Sequence, residues 1–270
     1  MSALTALRRP GVHIVSMGQE KVGGNAPITI QSMTTTPTWD VGKTVKQIKE
    51  LEEAGCQIIR VAVPTRKDAR SLAKIKAAVS IPLVADIHFN YRLALDSIEA
   101  GVDGLRLNPG NIGSRDHVRQ VAKEAALAQI PIRIGVNGGS LEEDIEKKHG
   151  GASGEALVES ALRHVTLLEA EGFHDIIISL KSSSVRTTLE AYRLMARERD
   201  YPLHVGVTEA GLGPEGRAKS FLGIGLLLLE GIGETIRISL TGNPLAEIRA
   251  ARTLLSRAEL LAVSLTGGNE

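Results

Sequence analysis

Eight strand-like runs alternate with eight amphipathic segments along this chain, and this alternation constrains the fold more than any other feature. Short runs rich in β-branched residues are typical of strands, whereas apolar residues at helical spacing are typical of helices packed on a sheet. The strand-like runs are 28–34, 57–63, 82–87, 104–108, 131–137, 175–180, 202–208 and 235–240. The helix-like segments are 45–54, 69–79, 92–100, 118–128, 157–171, 189–199, 218–229 and 245–255. Strict alternation predicts an α/β fold of the (β/α)₈ TIM-barrel type, with a doubly wound open sheet as the alternative.

The two ends of the chain complete the predicted organisation. An apolar run at 12–15 and the glycine-rich stretch 18–25 predict a hairpin that plugs one end of the barrel. We therefore divide the chain into an N-terminal extension (1–27), the barrel (28–257) and a C-terminal tail (258–270). The segment 138–153 exceeds a simple connection, which predicts either a mobile loop over the active face or a surface insertion.

Composition excludes several classes of function. A net charge of +1 gives no general electrostatic case for a nucleic-acid or membrane partner, and 3% aromatic residues argue against a base-stacking surface. No apolar run reaches the roughly 20 residues that span a bilayer, and the N-terminus lacks a signal-peptide core, so we expect a cytoplasmic protein. The single cysteine, Cys56, excludes an internal disulfide and any all-cysteine metal site within these residues.

Three of the strand-like runs place an arginine on the face opposite their aliphatic residues. Side chains alternate across a strand, so Arg106, Arg133 and Arg237 each share a face with other polar groups. Those neighbouring groups are Asn108, Asn137 and Ser239. In a barrel the aliphatic face packs under the helices and the other face points inward, with active sites at the carboxyl ends of the strands.

The same rule applied to every strand predicts a surplus of inward positive charge. The inward cations are Arg60, Arg106, Arg133, Lys181 and Arg237, and the carboxylates are Asp86 and Glu209. Desolvating an unpaired ion costs several kcal/mol, so the surplus calls for water or a bound anion. A diphosphate fits best because guanidinium forks match phosphate oxygens, although some of these arginines could instead brace the barrel through ion pairs.

The remaining inward polar groups are less specific. His88, His204 and Thr208 lie on inward positions or follow them directly, and an inward histidine is as often structural as catalytic. Asp86 and His88 lack a third ligand of suitable type, so no metal site is predicted in this chain.

Six motifs in this chain resemble those of the barrel domain of the 4-hydroxy-3-methylbut-2-enyl diphosphate synthase family, over about residues 10 to 255. They are 31–34 (QSMT), 84–89 (VADIHF), 105–113 (LRLNPGNIG), 134–137 (IGVN), 207–211 (VTEAG) and 231–237 (GIGETIR). The resemblance implies the methylerythritol phosphate route to isoprenoids. The implied reaction is reductive ring opening of 2-C-methyl-D-erythritol 2,4-cyclodiphosphate to 4-hydroxy-3-methylbut-2-enyl diphosphate.

The resemblance also implies roles for individual residues. The family's diphosphate-binding positions correspond to Arg60, Arg106, Arg133, Lys181, Arg237 and Ser239, and its barrel glutamate, a candidate for proton transfer, corresponds to Glu209. Further pocket candidates from the inward-face pattern are Asp86, His88, Asn108, Asn137, His204 and Thr208.

Cofactor and partners follow from the same resemblance. Family members hold a [4Fe–4S] cluster with three cysteines and one glutamate of a C-terminal domain, receive electrons from flavodoxin or ferredoxin, and form homodimers. No cysteine follows Cys56 here, so we expect no cluster on this chain alone, and either a barrel fragment or a natural short form. The alternatives are a non-redox diphosphate-binding module and a transferase similar to dihydropteroate synthase.

Overall fold

In the computed structural model, which describes residues 2–108, 111–211 and 213–266, eight parallel strands form a barrel surrounded by helices. Helix α1 (Ala3–Ala6) and a hairpin of β1 (Val15–Met17) and β2 (Glu20–Val22) precede the barrel. The barrel strands are β3 (Thr29–Met33), β4 (Ile58–Ala62), β5 (Leu83–Asp86), β6 (Gly104–Leu107), β7 (Ile132–Asn137), β8 (Ile176–Lys181), β9 (His204–Val205) and β10 (Thr235–Ile236). The helices are α2 (Val41–Glu53), α3 (Arg66–Lys76), α4 (Tyr91–Glu99), α5 (Arg115–Leu127), α6 (Glu143–His149), α7 (Gly154–Glu169), α8 (Val185–Glu198), α9 (Gly213–Leu229) and α10 (Pro244–Thr266).

The strand order confirms the barrel and excludes the open sheet. Across the described ranges the order is β8-β7-β6-β5-β4-β3-β10-β9, and a parallel bridge between Ile178 and Leu203 joins the two ends. The backbone N–H of Ile178 also donates to the carbonyl of Pro202 at 2.9 Å. The seam between β8 and β9 is therefore hydrogen-bonded, and the strands enclose an interior.

The aliphatic face of each strand packs under the helices, as the alternation predicts. Leu105, Leu107 and Ile134 belong to a large buried cluster that also contains apolar residues of the helices. Burying a side chain of this size contributes about 1.5–3 kcal/mol, so this outer layer fixes which face of every strand turns inward.

The predicted hairpin is present at the amino-terminal end of the barrel. A second apolar cluster joins side chains of the hairpin to inward residues near the beginnings of three barrel strands. Its members are Val15, Met17, Val22, Ile58, Val84 and Ile177. Cys56, which precedes β4, is buried near this end of the barrel and not near the carboxyl ends of the strands.

Two strands are shorter than predicted, and beyond one of them the backbone has partners outside the ladder. β9 and β10 have two residues each, against the predicted runs 202–208 and 235–240. Beyond β10 the N–H of Leu240 donates to the Glu247 carboxylate at 3.0 Å, and the N–H of Thr241 donates to the carbonyl of Gly211 at 3.3 Å.

The segment 138–153, predicted to be either a mobile loop over the active face or a surface insertion, is folded. It contains a 3₁₀ turn (Gly138–Ser140) and helix α6, whose Ile145 is fully buried. Glu142 ties it to α7, because its carboxylate lies 2.8 Å from His164 Nε2 and accepts a hydrogen bond from Ser160 at 2.8 Å.

The ends of the predicted domains fall partly outside the description. Helix α10 continues to Thr266, so the predicted boundary at 257/258 lies inside this helix. Met1, residues 267–270 of the predicted tail, and Pro109 and Gly110 of the 105–113 motif lie outside the described residues. None of the helices in the described ranges combines the length and hydropathy that crossing a bilayer requires.

Candidate functional site

A cavity of about 240 Å³ opens at the carboxyl ends of the barrel strands. Its lining consists of inward side chains and one strand glycine: Met33, Arg60, Asp86, His88, Arg106, Arg133, Gly135, Asn137, Ser179, Lys181, Thr208, Arg237 and Ser239. Of the residues that the sequence predicts for the site, Asn108, His204 and Glu209 are missing from this lining in the described chain. The remaining predicted residues are brought together as the barrel rule requires.

Asp86 on β5 is shared by three basic side chains. Its carboxylate lies 3.1 Å from Arg106 Nη1, 3.4 Å from Arg60 Nε and 3.6 Å from His88 Nε2. Burial on its own would raise the pKa of Asp86, but the guanidiniums of Arg60 and Arg106 outweigh it and lower the pKa to about 2. The carboxylate is therefore ionised at neutral pH and orients two arginines while neutralising only one charge.

Arg133 on β7 has an unused donor at the centre of the site. It is 1% exposed, and its Nη1 donates to Gln31 Oε1 on β3. Its Nη2 is buried and has no hydrogen-bond partner within the described ranges. Burial, together with the like charges of Arg60 and Arg106, lowers the pKa of Arg133 well below its usual value. This donor has a hydrogen bond still to make, and an anion in the cavity would accept it.

Lys181, at the end of β8, is a second buried cation without a counterion. No carboxylate of the described residues lies within ion-pair distance of its ammonium group, and the side chain faces the cavity. Burial and then the charges of Arg60 and Arg237 lower the pKa of Lys181 well below its usual value. The charged form of this lysine is therefore destabilised until an anion enters.

Arg237 has a carboxylate partner that the strand pattern does not reveal. Glu247, in the first turn of α10, is 4% exposed, and its Oε2 lies 3.4 Å from Arg237 Nη2. The same carboxylate accepts hydrogen bonds from Ser32 Oγ at 3.4 Å and from the N–H of Leu240 at 3.0 Å. Strand alternation does not predict Glu247, because the barrel rule assigns helices to the outer layer. The sequence signal that could have indicated it is an acidic residue in the first turn of a helix that begins at Pro244.

The predicted surplus of positive charge is present, but the second carboxylate at the site is Glu247 and not Glu209. Among the described residues at the site, the same five cations face Asp86 and Glu247, which leaves three positive charges uncompensated. Glu209, which the sequence count included, is exposed and has a left-handed backbone with φ 49°. Its predicted role in proton transfer remains a prediction.

The two histidines differ sharply in surroundings. His88 lies at the mouth of the cavity with 45% of its side chain exposed. His204 is fully buried outside the lining, with Nδ1 3.3 Å from Thr235 Oγ1. Burial and the charges of Arg133 and Lys181 lower the pKa of His204 well below its usual value, so it is neutral near pH 7. Asn108 is also buried, and its carbonyl accepts a hydrogen bond from the N–H of Asn111 at 2.9 Å.

Three further lining residues are absent from the predicted site. Met33 accepts hydrogen bonds at its sulfur from Arg60 Nη2 at 3.0 Å and from Arg60 Nε at 3.3 Å. Ser179 is buried on β8, and Gly135 lies opposite it in the β7–β8 register. Strand alternation places Gly135 and Ser179 inward, but it does not reveal which inward residues touch a cation.

The donors of this chain do not fit a [4Fe–4S] cluster. Cys56 is buried, its thiol donates to the carbonyl of Ile58 at 3.2 Å, and burial raises its pKa to about 12. No group of three His, Cys, Asp or Glu side chains in the described part of the chain could hold a metal ion. Cluster ligands need thiolates, and this thiol is held in its protonated form.

Comparison with known sequences identifies closely similar proteins. A family model described as the GcpE TIM-barrel domain matches residues 12–252. The 4-hydroxy-3-methylbut-2-en-1-yl diphosphate synthase (flavodoxin) of Caldanaerobacter subterraneus subsp. tengcongensis is 58% identical over 247 residues, which cover 92% of this chain and 70% of that protein. The protein of the same name from Thermodesulfovibrio yellowstonii is 53% identical over 249 residues, with coverage of 92% and 71%.

Solved structures with a similar fold have much lower sequence identity. The dihydropteroate synthase of Yersinia pestis superposes with a TM-score of 0.64 at 10% identity, covering 90% of this chain and 98% of that chain. The dihydropteroate synthase of Xanthomonas albilineans gives a TM-score of 0.61 at 14% identity, again over 90% and 98%. Identity this low is evidence for the barrel fold alone.

Proposed function

Because the chain belongs to the GcpE TIM-barrel family, we propose that its cavity binds 2-C-methyl-D-erythritol 2,4-cyclodiphosphate for reduction to 4-hydroxy-3-methylbut-2-enyl diphosphate. Its relatives are oxidoreductases of isoprenoid biosynthesis. The chain corresponds to the barrel domain of that enzyme and spans 70% and 71% of two of these relatives.

The observation that carries the proposal is the uncompensated positive charge around a small cavity. Arg133 Nη2 and Lys181 offer donors that no described carboxylate engages. Arg60 and Arg106 are oriented by Asp86, and Ser239 adds a hydroxyl. A cyclic diphosphate supplies phosphate oxygens for several of these donors at once, whereas a neutral or cationic ligand would leave the surplus in place.

The residues of this chain support binding and proton chemistry rather than electron storage. We propose that Glu209, which follows the lining residue Thr208, delivers a proton to the hydroxyl oxygen that leaves the substrate as water, and that His88 and Asn137 contact the carbon skeleton. The names of the relatives support flavodoxin as the electron donor. The electrons themselves require a cofactor, and this chain's own donor set does not fit the family's cluster.

We propose that residues 1–27 form an extension that includes the hairpin plug, and that the barrel unit begins at residue 28 and includes helix α10 beyond the predicted boundary at 257. We also propose a homodimer, which sedimentation equilibrium would test directly.

Calorimetric titration tests the proposed ligand. We expect the cyclodiphosphate to bind, and its affinity to fall as salt rises, because the contacts are charge-assisted. Dihydropterin diphosphate, the substrate expected for the transferase alternative, should bind more weakly, because the described lining of this cavity of about 240 Å³ contains no Phe, Tyr or Trp side chain on which the pterin ring could stack. Absence of cyclodiphosphate binding, or preference for the pterin, would refute the proposal.

A further inference from the structure

Gly135 lies in the middle of β7, between the inward residues Arg133 and Asn137. It lines the cavity, yet its backbone is not in the left-handed region that favours glycine. Any residue could adopt this conformation, so the position does not need glycine for its backbone freedom. Glycine within a strand often marks a site where another group approaches the backbone closely.

The group that approaches Gly135 is the guanidinium of Arg106. A Cβ atom added at Gly135 would lie 2.3 Å from Arg106 Nε, 2.8 Å from Nη2 and 2.9 Å from Cζ. Ordinary contacts of a Cβ atom begin near 3.4 Å. The guanidinium therefore occupies the space that a side chain at this position would fill.

Arg106 cannot move aside without losing its present contacts. Its Nη2 donates to the carbonyl of Gly135 at 2.8 Å, and its Nη1 donates to Asp86 at 3.1 Å. Arg133 is its direct neighbour in the β6–β7 register, so a shift of the guanidinium along β7 toward Arg133 would bring two positive charges closer together. Relieving the 2.3 Å contact to 3.4 Å requires a shift of about 1 Å, enough to break or lengthen both hydrogen bonds.

We infer that Gly135 is a positioning residue, which leaves the room Arg106 needs to cross from β6 over β7 and present its guanidinium to the diphosphate. This inference rests on the proposed function, because it takes Arg106 as a ligand contact. It also explains why a glycine occupies the centre of a strand whose other inward residues are large and polar.

The test compares Gly135→Ala with a matched control, Gly104→Ala. Gly104 is a strand glycine on β6, but a Cβ there would meet the hairpin plug, 3.2 Å from Met17 Cε. Loss of one charge-assisted contact corresponds to about ten- to a hundredfold in affinity, so Gly135→Ala should weaken calorimetric binding of the cyclodiphosphate by that factor. Gly104→Ala should leave the affinity within about twofold of wild type, since its contacts are at the other end of the barrel.

A double-mutant cycle separates positioning from general structural damage. In an Arg106→Ala background, Gly135→Ala should cause no further loss of affinity, because the group it displaces is gone. If Gly135→Ala lowers the thermal midpoint of wild type, it should not lower that of Arg106→Ala further, since removing the guanidinium relieves the overlap. Additive losses of affinity, or a folding defect that Arg106→Ala does not relieve, would overturn the inference.

The outcomes also distinguish this inference from the proposed function. Failure of wild type to bind the cyclodiphosphate would overturn both. Wild-type binding with an unchanged affinity for Gly135→Ala would overturn the inference alone.

Discussion

Replacing Lys181 with methionine should stabilise the folded chain and weaken ligand binding at the same time. Methionine has nearly the shape of lysine but no charge, so Lys181→Met removes a buried cation without opening a cavity. Wild type holds an ammonium group close to Arg60, Arg133 and Arg237, and no carboxylate of the described residues lies within ion-pair distance of it. The variant no longer contains this group. Exchange of buried charge for apolar volume typically stabilises by up to about 4 kcal/mol, and we expect about 1–3 kcal/mol here because the cavity admits some water.

The effect on binding has the opposite sign. A charge-assisted hydrogen bond to phosphate contributes roughly 1.5–3 kcal/mol, so the affinity for the cyclodiphosphate should fall by about ten- to a hundredfold. The matched control is Lys76→Met. Lys76 pairs with Asp103 at 2.5 Å, far from the cavity and half-buried, so this variant should lose up to about 1 kcal/mol of stability and bind normally.

The pH dependence adds a signature specific to Lys181. Its pKa is lowered in the folded state from 10.5, so above the folded pKa the unfolded chain binds the extra proton. The free energy of unfolding of wild type therefore rises with pH between the lowered pKa of folded Lys181 and about 10.5. Over the same pH range, the stability that Lys181→Met gains over wild type becomes smaller. Urea unfolding at several pH values and calorimetry at neutral pH measure both effects. A destabilised Lys181→Met variant that binds like wild type would refute the view that this cation is held for an anion.

Asp86 and Cys56 carry the remaining predictions. In wild type, stability contributed by ionised Asp86 is present above its ordinary pKa of 3.8 and is lost as the pH falls toward about 2, which amounts to about 2 kcal/mol. Asp86→Asn should lack this acid-dependent loss. It should also bind the cyclodiphosphate more weakly, because the amide offers one neutral acceptor oxygen in place of the two carboxylate oxygens that hold Arg60 and Arg106. Parallel urea-stability curves for both proteins between pH 4 and pH 2 would contradict the assignment. Cys56, buried with its pKa raised to about 12, should resist iodoacetamide until the chain unfolds, and anaerobic incubation of this chain with iron and sulfide should yield no stoichiometric cluster absorption. Rapid native labelling, or a cluster spectrum accompanied by product formation, would show that the thiol is more available than its burial indicates.

Inward charge could be predicted from the sequence, whereas the placement of each charged group could not. Strand alternation is a period-two property of the chain itself, so it identifies Arg106 and Arg133 as inward without any knowledge of neighbours. Glu247 escapes the same reasoning because it reaches the site from a helix, between residues of β3 and the β10–α10 loop. Gly135 escapes it because its role depends on a side chain from the adjacent strand, and inter-strand register is a tertiary property.

Segment lengths show the same division between local and tertiary causes. The run that forms β10 has a strand-like sequence, but from Leu240 onward its backbone N–H groups donate outside the ladder, to Glu247 and Gly211. The insertion 138–153 has the composition of a loop, yet Glu142 and the buried Ile145 attach it to α7. In both cases a partner outside the segment itself decides the conformation, and the pattern within the segment does not encode that partner.

The inward face of the barrel changes character along single strands, and this change accounts for the electrostatics of the site. On β4 the inward residues pass from Ile58 to Arg60, and on β5 from Val84 to Asp86. Hairpin side chains pack against the apolar end of the interior, and the charged end lines the cavity. Buried charges interact more strongly than exposed ones, so a partner that enters the cavity is held more strongly by the uncompensated cations. A dianion that enters at the mouth therefore meets cations already oriented by Asp86 and Glu247. Because these cations are desolvated when the chain folds, that cost does not reduce the free energy of ligand binding.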